Sequence, residues 1–290
     1  MNSIEESIAS VFGKKIWSRF NRGVSDYQLI SPGDSIAVCI SGGKDSMLLA
    51  LCMARLQRFS KVPFTVRNIV MDPGYAPENL RQIEHNLGLL GLEADILPTK
   101  IFSSAEDTGD NPCFLCSRLR RGFLYKSAQD MGCNKIALGH HFDDVVETIL
   151  MGMLYGSQMQ TMLPKLHSEN YSGMEVIRPL YLVREGDIIS WAEHNSLRFI
   201  GCACRITEKR DVSSKRQEIK DLLKDLRTVN PAVDMNIFRS AENVNLRKLI
   251  SYHSGSEYHH FLDDYSEGIS VRGTKSGEKH KNSPETNQRS

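Results

Sequence analysis

Three groups of residues in this chain have types and spacings that can do chemistry. The first is Ser41-Gly42-Gly43-Lys44-Asp45-Ser46, set between the apolar run Ile36 to Ile40 and a second one, Met47 to Met53. That pattern predicts strand, tight glycine turn and helix, because Gly42 and Gly43 permit backbone angles and close approaches that a side chain forbids. The amides and dipole at the helix start then make an anion site, to which Lys44 adds charge. This is a place to hold a phosphate. It is not a Walker A loop: Val38 stands where that motif needs its first glycine, and Asp45 where it needs Ser or Thr. An ordinary glycine turn with a solvated Lys-Asp pair is the plainer alternative, and the flanking apolar runs argue against it.

The second group is cysteine. Of seven in the chain, Cys113 and Cys116 have the spacing that lets two thiolates grip one metal, and Cys202 and Cys204 offer further ligands. Cys39 sits in an apolar strand, Cys52 in an apolar helix and Cys133 just before a strand, where packing is the expected role. Seven cysteines in a reducing compartment point to metal or sulfur chemistry rather than to a disulfide framework. A redox CxxC would suit a thioredoxin-like fold, which this pattern is not. Structural zinc on four thiolates and a [4Fe-4S] cluster on three, with one iron open for sulfur, both remain.

The third group is Gly139-His140-His141-Phe142-Asp143-Asp144, followed by Glu147 and Thr148. Asp143 or Asp144 can cap the helix that follows. Two histidines and two carboxylates at one crevice could instead bind magnesium, orient an acceptor base or move a proton. Asp72, ending an apolar strand, could hold a ribose hydroxyl or magnesium; before Pro73-Gly74 it could equally just start a turn.

These groups need a scaffold. Residues 3–20 read as one amphipathic helix with Ile4, Ile8, Val11 and Phe12 on one face and a Ser3–Glu6 capping box. Strands are expected at Ile36–Ile40, Phe64–Val70, Ala94–Leu97, Ile136–Leu138 and Glu175–Arg178, with helices after the glycine loop and near 77–90, 143–155, 184–195 and 213–228. Alternating strands and helices imply an α/β fold with a parallel sheet, and ligands then sit beyond the carboxyl ends of its strands. The glycine loop, Asp72 and Gly139-His140-His141 all fall at such ends. The segment 101–134, with the CxxC pair and Arg118, Arg120 and Arg121, interrupts the rhythm as an insertion. The expected organisation is a helical segment at 1–30, the α/β domain at 31–205, a helical extension at 206–265 and a disordered tail at 266–290.

With 290 residues, 40% hydrophobic, the chain can bury one good core, and a net charge of +1 says nothing about partners. No apolar run is long enough to span a bilayer and no signal-peptide pattern opens the chain, so a cytoplasmic location is expected. Two basic patches could meet nucleic acid: Arg118, Arg120 and Arg121 beside the cysteines, and Lys209, Arg210, Lys215 and Arg216. For the second patch a solvated charged face is the alternative.

The glycine loop resembles the pyrophosphate loop of the PP-loop ATP pyrophosphatases, which split ATP to AMP and pyrophosphate. Together with the His-His-x-Asp-Asp-x-x-Glu-Thr run and Ile177-Arg178-Pro179-Leu180, it resembles their tRNA-modifying branch. Cys113, Cys116 and a later cysteine separate the 2-thiocytidine synthetases (TtcA type) from the lysidine synthetases. The resemblance runs from about residue 30 to 250. Two departures stand out: Cys202-Ala203-Cys204 replaces a second CxxC, and Phe142 replaces a residue that is often polar.

The resemblance implies an adenine nucleotide alpha hydrolase-like domain binding ATP and Mg2+ through Ser41, Gly42, Gly43, Lys44, Asp45, Ser46, Asp72 and Gly139. Lys44 would act on the phosphates and Asp45 near the metal, with His141 and Asp144 also catalytic. Cys113 and Cys116, with either Cys202 or Cys204 as the third, would supply the [4Fe-4S] ligands. The implied reaction adenylates the C2 oxygen of a tRNA cytidine and displaces AMP with sulfur from a donor, a cysteine desulfurase or sulfide. A homodimer is expected on the same ground. Rivals are a tRNA uridine thiolase, a zinc-stabilised nucleotide-binding protein without turnover, and an ATP-dependent amidating or lysidine-type ligase.

Overall fold

The computed structural model describes residues 2–102, 112–201, 215–263 and 265, with backbone only at 112–114 and 117. Its centre is a six-stranded sheet in the order β3-β2-β1-β4-β6-β5. The strands are β1 (Ser35–Ile40), β2 (Thr65–Asp72), β3 (Asp95–Pro98), β4 (Lys135–Ala137), β5 (Lys165–His167) and β6 (Glu175–Ile177). All neighbours pair in parallel except β5, which runs antiparallel to β6 at the edge. From β1 the chain builds outward to β2 and β3 on one side, then returns to β4 and β6 on the other. The order therefore reverses between β1 and β4, which is where such sheets open a crevice.

The helices are α1 (Ser3–Ala9), α2 (Ser18–Asp26), α3 (Lys44–Phe59), α4 (Pro77–Leu90), α5 (Pro112–Asp130), α6 (Phe142–Gly156), α7 (Glu185–His194), α8 (Lys215–Val229) and α9 (Val233–Ser240). β1 is buried along almost its whole length, and Ser46 to Met53 of α3 are buried behind it. That burial is why two apolar runs with no polar alternation flank the glycine loop. α4 runs from Pro77, a good first helical residue, to Gly91, whose φ of +65° closes the helix in the left-handed region.

The N-terminal helix differs from the expected single span. Ile8, Phe12, Ile16 and Phe20 are buried, a spacing of four, which a period of 3.6 cannot keep on one face. A π-helical turn at Gly13–Trp17 between α1 and α2 absorbs the drift. Val11 falls off that stripe and is 59% exposed, and Asn2 rather than Ser3 caps α1 by accepting from the Ile4 amide. The segment read as an insertion carries α5, whose Leu124, Tyr125 and Ala128 pack with Ala37, Cys39 and Ile69 of the sheet.

The chain divides into two compact units, 1–241 and 242–290. α8 and α9 belong to the first, where Ile219, Leu223 and Phe238 share an apolar cluster with Phe142, Val145, Val146 and Ile149 of α6. In the second unit the described residues form a 3-10 turn at Leu246–Lys248 and an antiparallel hairpin, β7 (Ser251–Ser254) and β8 (Glu257–His260), which the sequence pattern did not suggest. The segment read as a tail, 266–290, lies outside the described residues.

One buried charge cluster ties the sheet's amino-terminal edge together. Lys135 Nζ lies 3.0 Å from Asp34 Oδ2 and 2.8 Å from Glu175 Oε2, and donates to the Leu29 carbonyl at 2.9 Å. Burial pushes the Asp34 carboxyl up, but bonds from Asn134, the Ser31 amide and Lys135 outweigh it and hold it below its ordinary value of 3.8. Lys135→Met removes the cation shared by two buried carboxylates and is expected to cost about 3–5 kcal/mol, read from the urea midpoint. In the wild type, the stability contributed by Asp34 is present above about pH 4 and fades as acid titrates it through its lowered native value.

Candidate functional site

β1 ends at Ser41, and the loop that follows is built for close approach. Gly42 has φ of +84°, and a Cβ there would come within 2.6 Å of Ile200 Cδ1 and 2.7 Å of Ile83 Cγ1. Gly43 stands at the N-cap of α3 and no side chain caps that helix, which leaves its first amides for a ligand. The turn is pinned from inside: Ser46 Oγ accepts from the Ser41 amide at 3.1 Å and donates to the Gly43 carbonyl at 3.0 Å. Tyr75 Oη donates to the Ser41 carbonyl at 3.2 Å. Gly139, just past β4, backs the loop so tightly that a Cβ would meet the Asp45 carbonyl carbon and the Ser46 nitrogen at 3.1 Å.

The charges over this loop form one network. Lys44 Nζ lies 3.2 Å from Asp45 Oδ2 and 3.0 Å from Glu185 Oε1 at the start of α7. Burial pulls the Lys44 pKa down, but these two carboxylates outweigh it and raise it overall. Glu185 shows the opposite balance: burial pushes its carboxyl up, and Lys44, His141 and Lys220 bring it down to about 2. Asp45 Oδ1 is buried with no hydrogen-bond partner among the described residues, and faces His141 Nε2 at 3.9 Å.

His141, not an aspartate, caps α6. Its Nδ1 accepts from the Asp144 amide at 3.4 Å while Asp144 Oδ2 accepts from the His141 amide at 2.9 Å. Asp144 thus closes the capping box from inside the helix. Asp143 caps a different helix, accepting from the Glu185 amide of α7 at 2.7 Å. His140 is pushed down to about 4, chiefly by burial, with Arg178, Arg216 and His141 adding to the effect and Asp144 opposing it. It is a neutral imidazole at pH 7, and its Nδ1 is buried without a partner among the described residues.

A cavity of about 350 Å³ brings the loop residues Ser41, Asp45 and Ser46 together with Gly139, His140 and Asp144. Arg120 and Leu124 of α5 close it from the other side. Asp72 does not line it. Its Oδ1 accepts from the amides of Gly74 at 2.8 Å and Tyr75 at 2.7 Å, so the turn-forming role is the one the geometry shows. Arg216 is no surface contact either. Its Nε donates to Glu147 Oε2 at 2.6 Å and its Nη2 to Asp144 Oδ1, clamping α8 onto α6. Lys220 adds Glu185 Oε2 at 3.3 Å and Glu147 Oε1 at 3.7 Å. Glu185 and Lys220 escape sequence reasoning, and Arg216 enters it only as part of a basic patch, because each is an ordinary charge on an amphipathic helix until the fold brings it across.

Cys116 is buried on α5 beside Met71, Ile101 and Phe102, and Cys113 lies one turn earlier in the same helix. Cys202, Cys204, Lys209 and Arg210 lie outside the described residues. Both flanks of that segment end at the crevice, however: Ile200 beside Gly42, and Arg216 on Asp144 and Glu147. Among the described residues no three His, Cys, Asp or Glu side chains converge as a metal site. Cys39, Cys52 and Cys133 are buried as packing residues. Burial, with a smaller push from Cys133, takes the Cys39 thiol up to about 12, so it is no nucleophile at neutral pH.

Comparison with known proteins places this geometry. The PP-loop domain family matches residues 14–220. The tRNA-cytidine(32) 2-sulfurtransferase of Geobacter metallireducens is 38% identical over 240 residues, covering 82% of this chain and 92% of that protein. The enzyme of the same name from Neisseria meningitidis is 37% identical over 237 residues, covering 80% of this chain and 72% of that one. Among solved structures, the U34-tRNA thiolase NcsA from Methanococcus maripaludis with its [4Fe-4S] cluster superposes with a TM-score of 0.63 at 20% identity, covering 83% and 84% of the two chains. That last likeness speaks for the fold.

Gly42→Ala would strain a left-handed residue and press on Ile83 and Ile200 at once. It is expected to weaken ATP binding at least about tenfold in calorimetric titration while the far-ultraviolet circular dichroism stays native. Unaltered ATP affinity would remove the loop from nucleotide binding.

Proposed function

The chain belongs to the PP-loop domain family, among the tRNA-cytidine 2-sulfurtransferases, and on that premise we propose that it uses ATP to exchange the C2 oxygen of a tRNA anticodon-loop cytidine for sulfur. One observation carries the reading. The helix that holds Cys113 and Cys116 also walls the cavity of the anion-binding loop, through Arg120, one turn beyond Cys116.

The free amides at the start of α3 receive the phosphates, and Lys44 joins them by exchanging Glu185 for phosphate oxygen. Asp45 Oδ1, a buried carboxylate oxygen with no partner, fits a magnesium ion that would balance the triphosphate. The cytidine C2 oxygen attacks the α-phosphorus; the bond to the β-phosphate oxygen breaks and pyrophosphate leaves. Hydrosulfide then adds to C2, the C2–O bond breaks and AMP departs with the oxygen. Neutral His140 can take the proton that the sulfur sheds as the thiocarbonyl forms. The sum is cytidine, ATP and hydrosulfide to 2-thiocytidine, AMP and pyrophosphate, with no net oxidation. The energetic logic is plain: a carbonyl oxygen is a poor leaving group until phosphorylated, and AMP is a good one.

Cys113, Cys116 and either Cys202 or Cys204 would hold a [4Fe-4S] cluster. Buried Cys116, next to an apolar cluster and in no disulfide, suits a thiolate that metal keeps deprotonated. Three thiolates leave one iron open, and when bound the cluster supplies a place to hold sulfide. Because Cys39 stays a thiol, the sulfur is not carried there. Among the described residues no helix is long and apolar enough to cross a membrane. A cytoplasmic homodimer taking sulfur from sulfide or a cysteine desulfurase belongs to the same proposal.

Two measurements test it. Liquid chromatography and mass spectrometry of total tRNA nucleosides, with and without the gene, should show loss of 2-thiocytidine. Loss of a 2-thiouridine would keep the chemistry and move the base, and no change would overturn the assignment. Lys44→Met should lower kcat/KM by about 10²–10³ with the fold intact. Cys116→Ala should abolish thiolation and the brown colour of anaerobically purified protein; a colourless, zinc-loaded wild type would sink the cluster.

A further inference from the structure

α5 has two working stripes, and the nucleotide cavity uses only one of them. Arg120 and Leu124 face that cavity, while Arg118, Arg121, Tyr125 and Lys126 face a separate groove of about 1100 Å³. The opposite wall is the β5–β6 connection, with His167, Ser168 and Asn170. We infer that this groove is the track for the phosphodiester backbone of the RNA substrate, an inference that rests on the tRNA reading above.

Three features support it. The first is charge: Arg118, Arg121 and Lys126 line the groove over about 12 Å of helix rise, with Glu169 the one acidic lining residue among those described. A stripe of that length spans more than one phosphate of a single strand. Arg118 and Arg121 are exposed; Lys126 shares its charge with Asp130 at 2.7 Å.

The second is rigidity. Tyr125 and Tyr171 stack across the groove with ring centres 4.8 Å apart and planes within 7°. Tyr171 Oη donates to the Gly122 carbonyl at 3.1 Å, and Gln129 Nε2 to the Ser172 carbonyl at 3.2 Å. The two walls are therefore fixed to each other before any ligand arrives, which lowers the ordering cost of binding. The third is position. A strand in the groove has only to cross α5, past Arg120, to bring one unstacked base to the crevice. Leu119 and Leu166, exposed on opposite walls, offer apolar shelves for the sugars and bases on either side.

Two independent variants test the groove in the full-length protein, Arg118→Glu with Arg121→Glu on one wall and Asn170→Glu with Ser168→Glu on the other. The probe is unmodified tRNA transcript, by fluorescence anisotropy from about 50 mM to about 200 mM salt. Each variant is expected to bind at least about tenfold more weakly, with the salt slope of the arginine variant reduced by about one to two. ATP affinity should hold, and Arg118→Lys with Arg121→Lys should recover most of the tRNA affinity. If the wild type binds tRNA and both variants bind it as tightly, the groove is overturned and the thiolase reading stands. If the variants keep tRNA affinity but lose thiolation only when a protein, rather than free sulfide, supplies sulfur, the groove docks a protein and the inference is equally overturned. If the wild type does not bind tRNA at all, the functional reading fails and the groove falls with it.

Discussion

Everything around the nucleotide loop depends on how Lys44 is held. A lysine at the mouth of an anion site is useful only if it stays charged and is not lost to solvent. Burial works against the charge, and the carboxylates of Asp45 and Glu185 restore it. Glu185 is itself held by Lys220, Lys220 reaches Glu147, and Glu147 is clamped with Asp144 by Arg216. The chain of ion pairs thus runs from α3 through α7 and α8 to α6. Removing one partner strands the next charge in a poorly solvated crevice, so the network specifies position more than it adds stability. Glu185 thus answers two lysines at once, Lys44 through Oε1 and Lys220 through Oε2.

The same arrangement explains why α8 cannot be a loosely attached extension. Its apolar side, Ile219 and Leu223, packs on α6, and its charged side reaches over the end of the helix to the signature carboxylates. The chain enters α8 directly from the segment that carries Cys202 and Cys204. Ile200, before that segment, touches the one loop residue that tolerates no side chain. The described flanks of that segment therefore meet the loop at Gly42 and the carboxylates Asp144 and Glu147.

What could be read without coordinates was the local part. Strand, Gly42-Gly43 and α3 follow from neighbouring residues alone, and so do α4 with its proline start and glycine stop. The N-terminal span failed locally as well, because a stripe of spacing four looks helical while demanding a wider turn at Gly13–Trp17. The site failed where it is non-local. Arg216, read as part of a basic patch or a solvated face, has its partners 69 and 72 residues away, and Lys220 has one 35 residues away. His141 as the cap displaced the aspartates because its ring could serve the helix with one nitrogen and face Asp45 with the other. Asp72 accepts the turn amides of Gly74 and Tyr75 through Oδ1, and nothing in Asp-Pro-Gly distinguishes that role from a ligand's.

Gly139 shows the limit from the other side. In sequence it is merely the residue after a short strand, and its reason appears only when β4 is laid beside β1. The backbone of Asp45 and Ser46 then passes where its side chain would be. β4 pairs with β1 through Ile36, Ala37 and Val38, so the distance between the histidine run and the phosphate loop is set by sheet hydrogen bonds and not by flexible side chains. Two motifs about a hundred residues apart are held in contact by the pairing of two central strands, with glycine on both sides of the junction. The loop and the histidine run thus keep their register through backbone pairing, while Lys44 and Glu185 meet through their side chains.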